Sequence, residues 1–548
     1  TFILNLGVGP GPPGPFEYNP ENNTWTNNTE VYLAPQFINQ TTGNGSIWQV
    51  YGNNNGVDGL SGNIMNILVG DSLYFNAYNG TFGHELWAHD TSNQTTWKVA
   101  DINNGAGSSN PGLDMVLLVG DTIYFSAIDG STGSELWAHD TSNQSTWRVA
   151  DINNGAVGSN PGQYLQLLVG DTIYFSANDG STGSELWAHD TSNQSTWRVA
   201  DINSGTGNSA PGQYMQLLVG DTIYFSAYDI STGYELWAHD TSNHSTWIVA
   251  DINSGTGHSF PGDLMQLLVG DTIYFDANDG STGYELWAHD TSNHSTWRVA
   301  DINSGTGNSA PGQYTQLLVG DAIYFSANDG NTGIELWAHD TSNHSTWRVT
   351  DINNGAGSSY PGQYMELLVS NTIYFSAYDT STGYGNRELW AHDTSNHSTW
   401  IVADINSGTA SSNPGQYMQL LVGDTIYFSA IDGSTGSELW AHSTSNHSTW
   451  RVADINSGSA GSEPGRRMYH LIGNAIYFSA DDGSTGTMLR AYSPPSINYN
   501  TNTGGAVASW AINASLPSGV SFGTNNGTIY GTPTELWPQT SYMVWANN

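Results

Sequence analysis

The stretch that decides the fold is PGQYLQLLVGDTIYFSANDGSTGSELWAHDTSNQSTWRVADINSG, residues 161–205, which recurs along the chain with little change. It contains four short runs of β-forming residues, at 165–169, 172–177, 185–189 and 196–202, each bounded by Gly, Asp, Asn or Ser. The polar segments NDGSTGS and DTSNQS between the later runs are typical of hairpin turns. No run has helical periodicity, so each repeat is predicted to form four antiparallel strands.

The repeats are regular enough to be counted. The tyrosine of the YF pair occurs nine times, 50 residues apart except for one step of 53. These residues are Tyr74, Tyr124, Tyr174, Tyr224, Tyr274, Tyr324, Tyr374, Tyr427 and Tyr477. The additional residues Gly385, Asn386 and Arg387 fall in a turn, which indicates that this turn is exposed. Four strands in about 50 residues match one β-propeller blade with kelch-like spacing, and a stacked β-solenoid is the alternative.

The two ends of the repeat region complement each other. The first copy supplies only a fourth strand, around Trp48, whereas the last copy has three strands and no TW strand after Tyr492. Together they make one complete blade, which would hide the terminal edges of a ring. We therefore predict an all-β protein with a closed nine-bladed propeller over residues 45–493; eight blades or an open superhelix are the alternatives.

The composition excludes several classes of partner. The chain has 49 acidic and 10 basic residues and a net charge of -39, so it is not expected to bind nucleic acid or an anionic membrane. Only 11% of the residues are charged and 12% are aromatic, which predicts a folded core. The absence of cysteine excludes disulfides and thiolate chemistry. With no apolar run near the roughly 20 residues of a membrane helix, we interpret the chain as a mature, processed, extracellular or cell-surface product.

Two parts of the chain resemble known families. The recurring ELWAHDTSNxSTWxVADINxG, with IYFSAxDGSTG, resembles the ELW-x-x-D-G-T repeats of secreted bacterial and archaeal surface proteins over about residues 45–493. The string LPSGVSFGTNNGTIYGTP, residues 516–533, resembles the putative Ig domain of prokaryotic surface and haemagglutinin-like proteins. In that family another strand follows the one found here at 542–548, so the resemblance implies that residues 494–548 form an Ig-like β-sandwich without its last strand.

The N-terminal residues 1–8, TFILNLGV, alternate as a strand with one apolar face, and residues 9–44 form a linker and extension rich in Pro, Gly and Asn. Because an unpaired apolar strand needs a partner, we expect residues 1–8 to complete the Ig-like domain of the next subunit. Such donor-strand complementation would build a head-to-tail homopolymer. Folding of the strand onto its own chain is the alternative. The residues assigned to assembly are Phe2, Leu4, Leu6, Val8, Tyr542 and Val544.

The near-identity of the blades argues against an active site, since catalysis needs different residue types at one place. Glu185, Trp187 and His189 share a strand face and recur in eight copies; they could be metal ligands or acid and base, but packing between blades is the favoured interpretation. We therefore predict a non-enzymatic structural filament subunit without a cofactor. The alternative is a carbohydrate-binding or adhesive propeller in which Trp187 and its equivalents stack on sugars.

Polar turns supply further candidate sites. Eight glycosylation sequons occupy one equivalent turn, and we expect them to be modified and exposed, chance being the alternative explanation. They are Asn93, Asn143, Asn193, Asn243, Asn293, Asn343, Asn396 and Asn446. Asp and Asn alternate in ADINSGTG as in calcium loops, although stabilisation of the turn is the favoured explanation. The calcium candidates are Asp151, Asn153, Asp201 and Asn203.

The ninth repeat differs from the others. Arg466, Arg467, His470 and Arg490 gather there, while the usual Glu and Trp of the third strand are lost. This is the only basic neighbourhood in the sequence. We expect it to contact the acidic surface of a neighbouring molecule.

Overall fold

The computed structural model describes residues 65–494 except 79, 381–385, 409, 474 and 485, together with strands at 2–6, 16–19, 24–27, 46–51, 509–512, 520–522, 529–531 and 540–547. All the regular elements described are β-strands. The chain divides into two compact units, one of residues 47–492 and the other of residues 1–46 and 493–548. Among the described residues there is no helix with the length and apolar character needed to cross a membrane.

The larger unit consists of nine four-stranded antiparallel sheets, which are the blades. Before the first complete blade come β1 (Phe2–Leu6), β2 (Phe16–Asn19), β3 (Thr24–Asn27) and β4 (Ser46–Tyr51). Blades 1 to 3 consist of β5 (Asn66–Val69), β6 (Ser72–Tyr78), β7 (His84–Asp90), β8 (Thr95–Ala100); β9 (Val116–Val119), β10 (Thr122–Ile128), β11 (Ser134–Asp140), β12 (Ser145–Ala150); and β13 (Gln166–Val169), β14 (Thr172–Asn178), β15 (Ser184–Asp190), β16 (Ser195–Ala200).

The middle blades repeat this order. Blades 4 to 6 consist of β17 (Gln216–Val219), β18 (Thr222–Asp229), β19 (Gly233–Asp240), β20 (Ser245–Ala250); β21 (Gln266–Val269), β22 (Thr272–Asn278), β23 (Tyr284–Asp290), β24 (Ser295–Ala300); and β25 (Gln316–Val319), β26 (Ala322–Asn328), β27 (Ile334–Asp340), β28 (Ser345–Arg348).

Blade 7 contains the three-residue insertion, and blade 9 differs in how the ring ends. The inserted residues Asn386 and Arg387 lie in the third strand of blade 7 and Asn386 is buried, so they are not in an exposed turn as expected. Blades 7 to 9 consist of β29 (Glu366–Val369), β30 (Thr372–Asp379), β31 (Asn386–Asp393), β32 (Ser398–Ala403); β33 (Gln419–Val422), β34 (Thr425–Ile431), β35 (Ser437–Ser443), β36 (Thr449–Ala453); and β37 (Tyr469–Ile472), β38 (Ala475–Asp481), β39 (Thr487–Ser493) with β4 as the fourth strand. The remaining strands are β40 (Ser509–Ile512), β41 (Val520–Phe522), β42 (Ile529–Gly531) and β43 (Thr540–Asn547).

The two middle strands of each blade are buried on both faces because neighbouring blades cover them. In β14 the five residues from Ile173 to Ala177 are all buried, so the strand does not alternate between apolar and polar residues. It pairs with β15, so that Tyr174 lies opposite Ala188 and Phe175 lies opposite Trp187. The fourth strand, β16, is only partly covered.

The core consists of nine apolar clusters, each shared by two adjacent blades. One cluster joins Leu73 and Phe75 of blade 1 to Met468, Tyr477 and Leu489 of blade 9, which closes the ring. In addition, β4 is hydrogen-bonded beside β39. The prediction of an all-β, closed nine-bladed propeller is therefore confirmed, and the solenoid, the eight-bladed ring and the open superhelix are excluded.

The first strands of successive blades are linked to one another by hydrogen bonds from backbone to side chain. The backbone N–H of Gln166 donates to Gln216 Oε1 at 3.0 Å, and that of Gln216 donates to Gln266 Oε1 at 2.9 Å. Glu366 takes the place of glutamine in blade 7 and accepts from the backbone N–H of Gln316 at 3.0 Å. Burial raises the pKa of Glu366 to about 7.

In the smaller unit the first strand folds onto the last strand of the same chain. β1 pairs antiparallel with β43, with Phe2 opposite Val544 and Leu6 opposite Thr540, and β43 also pairs with β40. β2 pairs with β3, and β41 with β42. The strand pairing expected between subunits is thus formed within one chain. Val8 and most of residues 494–539 lie outside the described residues.

Candidate functional site

The propeller has two faces with different loops. On the loop face, the hairpin between the second and third strands meets the long loop that leads to the next blade. In blade 3, Ser209 N–H donates to Ser184 O at 3.0 Å, and Ser184 N–H donates to Asn208 Oδ1 at 2.7 Å. On the opposite turn face, the two remaining turns meet, and Thr191 N–H donates to Asp171 O at 2.8 Å.

The recurring glutamate holds the loop face together. Glu185 is fully buried, and its Oε2 accepts from Ile202 N–H and Ser209 Oγ, both at 2.7 Å. Burial raises the pKa of Glu185 to about 7, although these hydrogen bonds favour the charged form. In blade 9 the equivalent residue is Met488. The fourth strand of this blade is β4, from the N-terminal part of the chain, so no loop leads from it to a following blade.

The recurring tryptophan and histidine lie between blades. Trp187 packs against the cluster shared by blades 2 and 3, and its Nε1 is buried without a hydrogen-bond partner. His189 is fully buried, its Nδ1 lies 2.9 Å from Thr196 Oγ1, and its ring is 5.5 Å from that of Tyr124 in the preceding blade. Burial lowers the pKa of His189, so the ring is neutral at pH 7. The described residues contain no group of three or more His, Asp or Glu that could hold a metal.

Differences between blades are concentrated on the loop face. The residues ELWAH are identical in the third strands of blades 1 to 8, whereas the residue immediately before them changes in size, polarity and charge. From blade 1 to blade 9 this residue is His84, Ser134, Ser184, Tyr234, Tyr284, Ile334, Arg387, Ser437 and Thr487. At the corresponding position of the turn face, by contrast, only Gln and His occur from Gln94 to His447.

An aromatic cluster lies on the loop face of blades 4 and 5. Its members, all partly exposed, are Tyr214, Tyr228, Tyr234, His258, Phe260 and Tyr284. Phe260 stacks between Tyr234 at 5.5 Å and Tyr284 at 6.4 Å, and Tyr214 meets Phe260 edge-on at 5.1 Å. The Tyr234 hydroxyl donates to Gln213 Oε1 at 2.8 Å, and burial raises the pKa of Tyr234 to about 12.

Two aromatic residues of this face have a strained backbone. Phe260 and Tyr360 have φ values of 46° and 48°, in the left-handed region that bulky residues seldom adopt. The equivalent residues in other blades include Asn110 and Ala210, which have the same conformation with smaller side chains. Left-handed backbone at a bulky residue costs on the order of 1 kcal/mol. For Phe260 the contacts with neighbouring rings offset this cost.

A third feature of the loop face is an open pocket of about 690 Å³, the seam pocket, where blades 8, 9 and 1 meet. Its lining includes Asn66, Tyr417, Arg466, Arg467, Met468 and Tyr469. Arg466 forms an ion pair with Glu463, and its guanidinium lies 5.7 Å from the centre of the Tyr417 ring. Of the basic residues predicted to gather in the ninth repeat, Arg466 and Arg467 thus line a pocket. Arg490 does not join it, because it is 7% exposed and paired with Asp482 at 2.7 Å.

The sequon asparagines lie on the turn face. Asn193 is exposed, its Nδ2 donates to Asp190 Oδ2 at 2.7 Å, and its Oδ1 accepts from Ser195 N–H at 2.9 Å. Asn446 differs, since Ser443 replaces the aspartate in blade 8. Two inter-blade pockets of about 460 and 530 Å³ also open on this face, beside Trp247 and Trp297. Modification of the sequons remains a prediction.

The side chains of three calcium candidates contact residues close to them in sequence. Asn203 Nδ2 donates to Asn208 O at 3.1 Å, and Asn153 Nδ2 donates to Gly158 O at 3.4 Å. Asp151 lies 3.7 Å from the Arg148 guanidinium. Asp201 Oδ1 is buried without a hydrogen-bond partner. The amide contacts are those of turn-stabilising residues, and calcium binding remains a prediction.

Sequence reasoning missed the aromatic cluster and did not recognise the seam pocket. Both could have been suspected by aligning the repeats and asking which positions vary. Tyr234 and Phe260 are far from each other in the repeat, so only the folded blade shows that they lie on the same face.

Comparisons with known proteins give fold-level likeness only. No profile of a known family and no curated protein sequence matches the chain. Among solved structures, a puromycin-hydrolysing peptidase of Mycobacterium tuberculosis is 9% identical, with 67% of this chain and 57% of that chain covered and a TM-score of 0.35. A prolyl endopeptidase is 11% identical, with 72% and 55% covered and a TM-score of 0.37. The chain thus spans little more than half the length of these structures, and TM-scores this low carry no argument about activity.

Two predictions about function have to be corrected. The prediction that the chain is non-enzymatic and structural is withdrawn, because the two solved structures named above are peptidases; at their TM-scores this likeness assigns no activity to the chain either. A filament joined by residues 1–8 was expected, but that strand pairs with β43 of its own chain. The lectin alternative gains nothing either, because Trp187 is packed between blades.

Proposed function

We propose that this chain is a recognition protein that binds its ligand through the loop face of the propeller. The single observation behind this proposal is the concentration of blade-to-blade differences on that face. Blades that differ at Ser184, Tyr234 and Arg387 are identical in the ELWAH that follows. Because the fold requires similar residues in every blade, a concentration of differences on one face points to a requirement other than folding.

The character of the varying residues supports the same proposal. Tyr, Phe and Arg are among the residue types that are enriched in binding surfaces. The aromatic cluster exposes part of six rings on this face. Clefts at the mouth of a closed β-structure are also common ligand sites.

The proposal can be tested with variants that borrow residues from other blades and so should retain the fold. A loop-face variant carries Tyr234→Ser, Phe260→Asn and Tyr284→Ser, residues present at these positions in blades 2 and 3. A matched turn-face variant carries His244→Gln, His294→Gln and His344→Gln, as in blades 1 to 3. Both are compared with the native chain in ligand-observed NMR against short peptides, oligosaccharides, carboxylates and phosphate esters.

We expect at least one probe class to bind the native chain and the turn-face variant, and to bind the loop-face variant about tenfold more weakly or not at all. Unchanged binding to the loop-face variant, with loss in the turn-face variant, would refute the proposal. Equal melting temperatures of the three proteins exclude misfolding as the cause.

Three further features belong to this proposal. Residues 494–548 are proposed to form an Ig-like module, supported by the motif at 516–533. Secretion is supported by the resemblance to exported ELW repeats and by the acidic, cysteine-free composition. Modification of Asn193 and its equivalents would then place glycans on the turn face, away from the proposed recognition surface.

A further inference from the structure

The seam pocket is the place on the loop face where cationic side chains gather. In five other blades the two residues after the loop Pro-Gly are Gln and Tyr, as at Gln416 and Tyr417, whereas blade 9 has Arg466 and Arg467. Both arginines line the pocket, together with the aromatic side chains of Tyr417 and Tyr469. Its volume of about 690 Å³ is within the usual range for small-molecule sites.

Arg466 and Arg467 have interaction partners, as the other cations do, but they are the two that line this pocket. Six cations on the fourth strands of their blades each lie within 4.0 Å of an aspartate. They are Lys98, Arg148, Arg198, Arg298, Arg348 and Arg451. Arg387 lies over the Tyr364 ring at 4.6 Å. Against a net charge of -39, two adjacent arginines lining one pocket are a local concentration of positive charge, partly offset by Glu463.

Closure of the ring does not explain Arg466. The contact between blades 9 and 1 is made by apolar residues, among them Phe75, Tyr477 and Leu489. Arg466 is 57% exposed in its side chain, so it adds little to that contact. Its ion pair with Glu463 and its position over Tyr417 hold the guanidinium at the pocket instead.

We propose that the seam pocket binds a small organic anion, whose carboxylate or phosphate group is received by Arg466 and Arg467. Guanidinium groups match both oxyanions with paired hydrogen bonds. The apolar part of the ligand would contact Tyr417 and Tyr469, and its oxyanion would compete with Glu463 for Arg466. This inference rests on the proposed function of the loop face and gives it a ligand class.

The test uses the full chain and the double variant Arg466→Gln/Arg467→Tyr, which restores the Gln-Tyr pair of the other blades and should fold normally. The control variant Arg298→Ile/Arg451→Ile removes two cations from outer strands, where Ile248 and Ile401 show that isoleucine is accepted. The probes are benzoate and phenyl phosphate, with neutral benzyl alcohol for comparison. Affinities are measured by calorimetry and ligand-observed NMR at low ionic strength.

We expect benzoate or phenyl phosphate to bind the native chain and the control variant alike, and the pocket variant at least about tenfold more weakly. The anion that binds more tightly identifies the preferred group. Equal affinity for the pocket variant, equal binding of benzyl alcohol, or no binding of either anion would overturn the inference. In the last case, a peptide or oligosaccharide that still requires the aromatic cluster would leave the proposed function standing.

Discussion

Asp276 shows what a single substitution between blades can cost. Most blades have serine at this position, and the Ser226 hydroxyl accepts from Tyr214 N–H at 2.9 Å and Met215 N–H at 3.2 Å. Asp276 is fully buried, and its Oδ1 accepts from the equivalent two amides while its Oδ2 has no hydrogen-bond partner. Burial raises the pKa of Asp276 to about 7, with the nearby Asp263 acting in the same direction.

We predict that Asp276→Ser stabilises the protein above pH 4. As pH rises from about 4 to 7, the unfolded carboxyl ionises while the folded one stays protonated, so the native chain loses stability over this range. The variant lacks this loss, and its advantage should grow to on the order of 2 to 4 kcal/mol by pH 7. Urea unfolding at several pH values measures the difference. A constant gap across pH would show that the carboxyl is not held neutral.

At the scale of strands, the spacing of YF and TW pairs was enough to predict the blades, their number and the closure. This succeeded because each blade repeats the same apolar residues, such as Tyr174 and Phe175, at fixed positions. Residues 1–8 were expected to pair with the strand of Tyr542 and Val544 in a neighbouring subunit, whereas β1 pairs with that strand in its own chain. Alternation in residues 1–8 specifies a strand but not the copy of the chain that supplies its partner. The hydrogen bonds of Glu185 to the loop that follows its blade were not predicted either, because they join segments distant in sequence.

The closing strand β4 should be essential for the stability of the ring. A chain that begins at residue 52 lacks it and exposes the edge of β39, whereas a chain that begins at residue 45 keeps it. We expect the first chain to melt at a lower temperature and to aggregate through the open edge, and the second to retain a soluble, cooperatively unfolding propeller. Calorimetry and light scattering compare the two. Identical behaviour would contradict closure by β4.

At the scale of the whole molecule, the charge of -39 is spread over a ring whose few cations are mostly paired with aspartates. Like charges repel one another across the surface, which destabilises the compact state at low ionic strength. The acidity was evident from the sequence. The position of the cations was not, because Arg466 and Arg467 become a pocket only where blades 8, 9 and 1 meet.

Salt should therefore stabilise the protein. Raising NaCl from about 0.01 to 0.5 M shortens the screening length from about 30 Å to a few ångströms, so repulsion weakens more than the short surface ion pairs contribute. We predict an increase in melting temperature of roughly 5 °C or more. Differential scanning calorimetry across this range tests it, with a flat or falling midpoint as the contrary result.

The most direct test of the recognition face is a footprint of bound ligand by hydrogen–deuterium exchange of the full chain. The ligand is the tightest binder among the peptides, oligosaccharides, carboxylates and phosphate esters of the probe set. We predict slower exchange in loop-face segments, such as 229–234, 257–264 or 463–468, and no change in the turn-face segments 190–195 and 240–245. Protection confined to the turn face, or spread evenly over both faces, would contradict the assignment of recognition to the loop face.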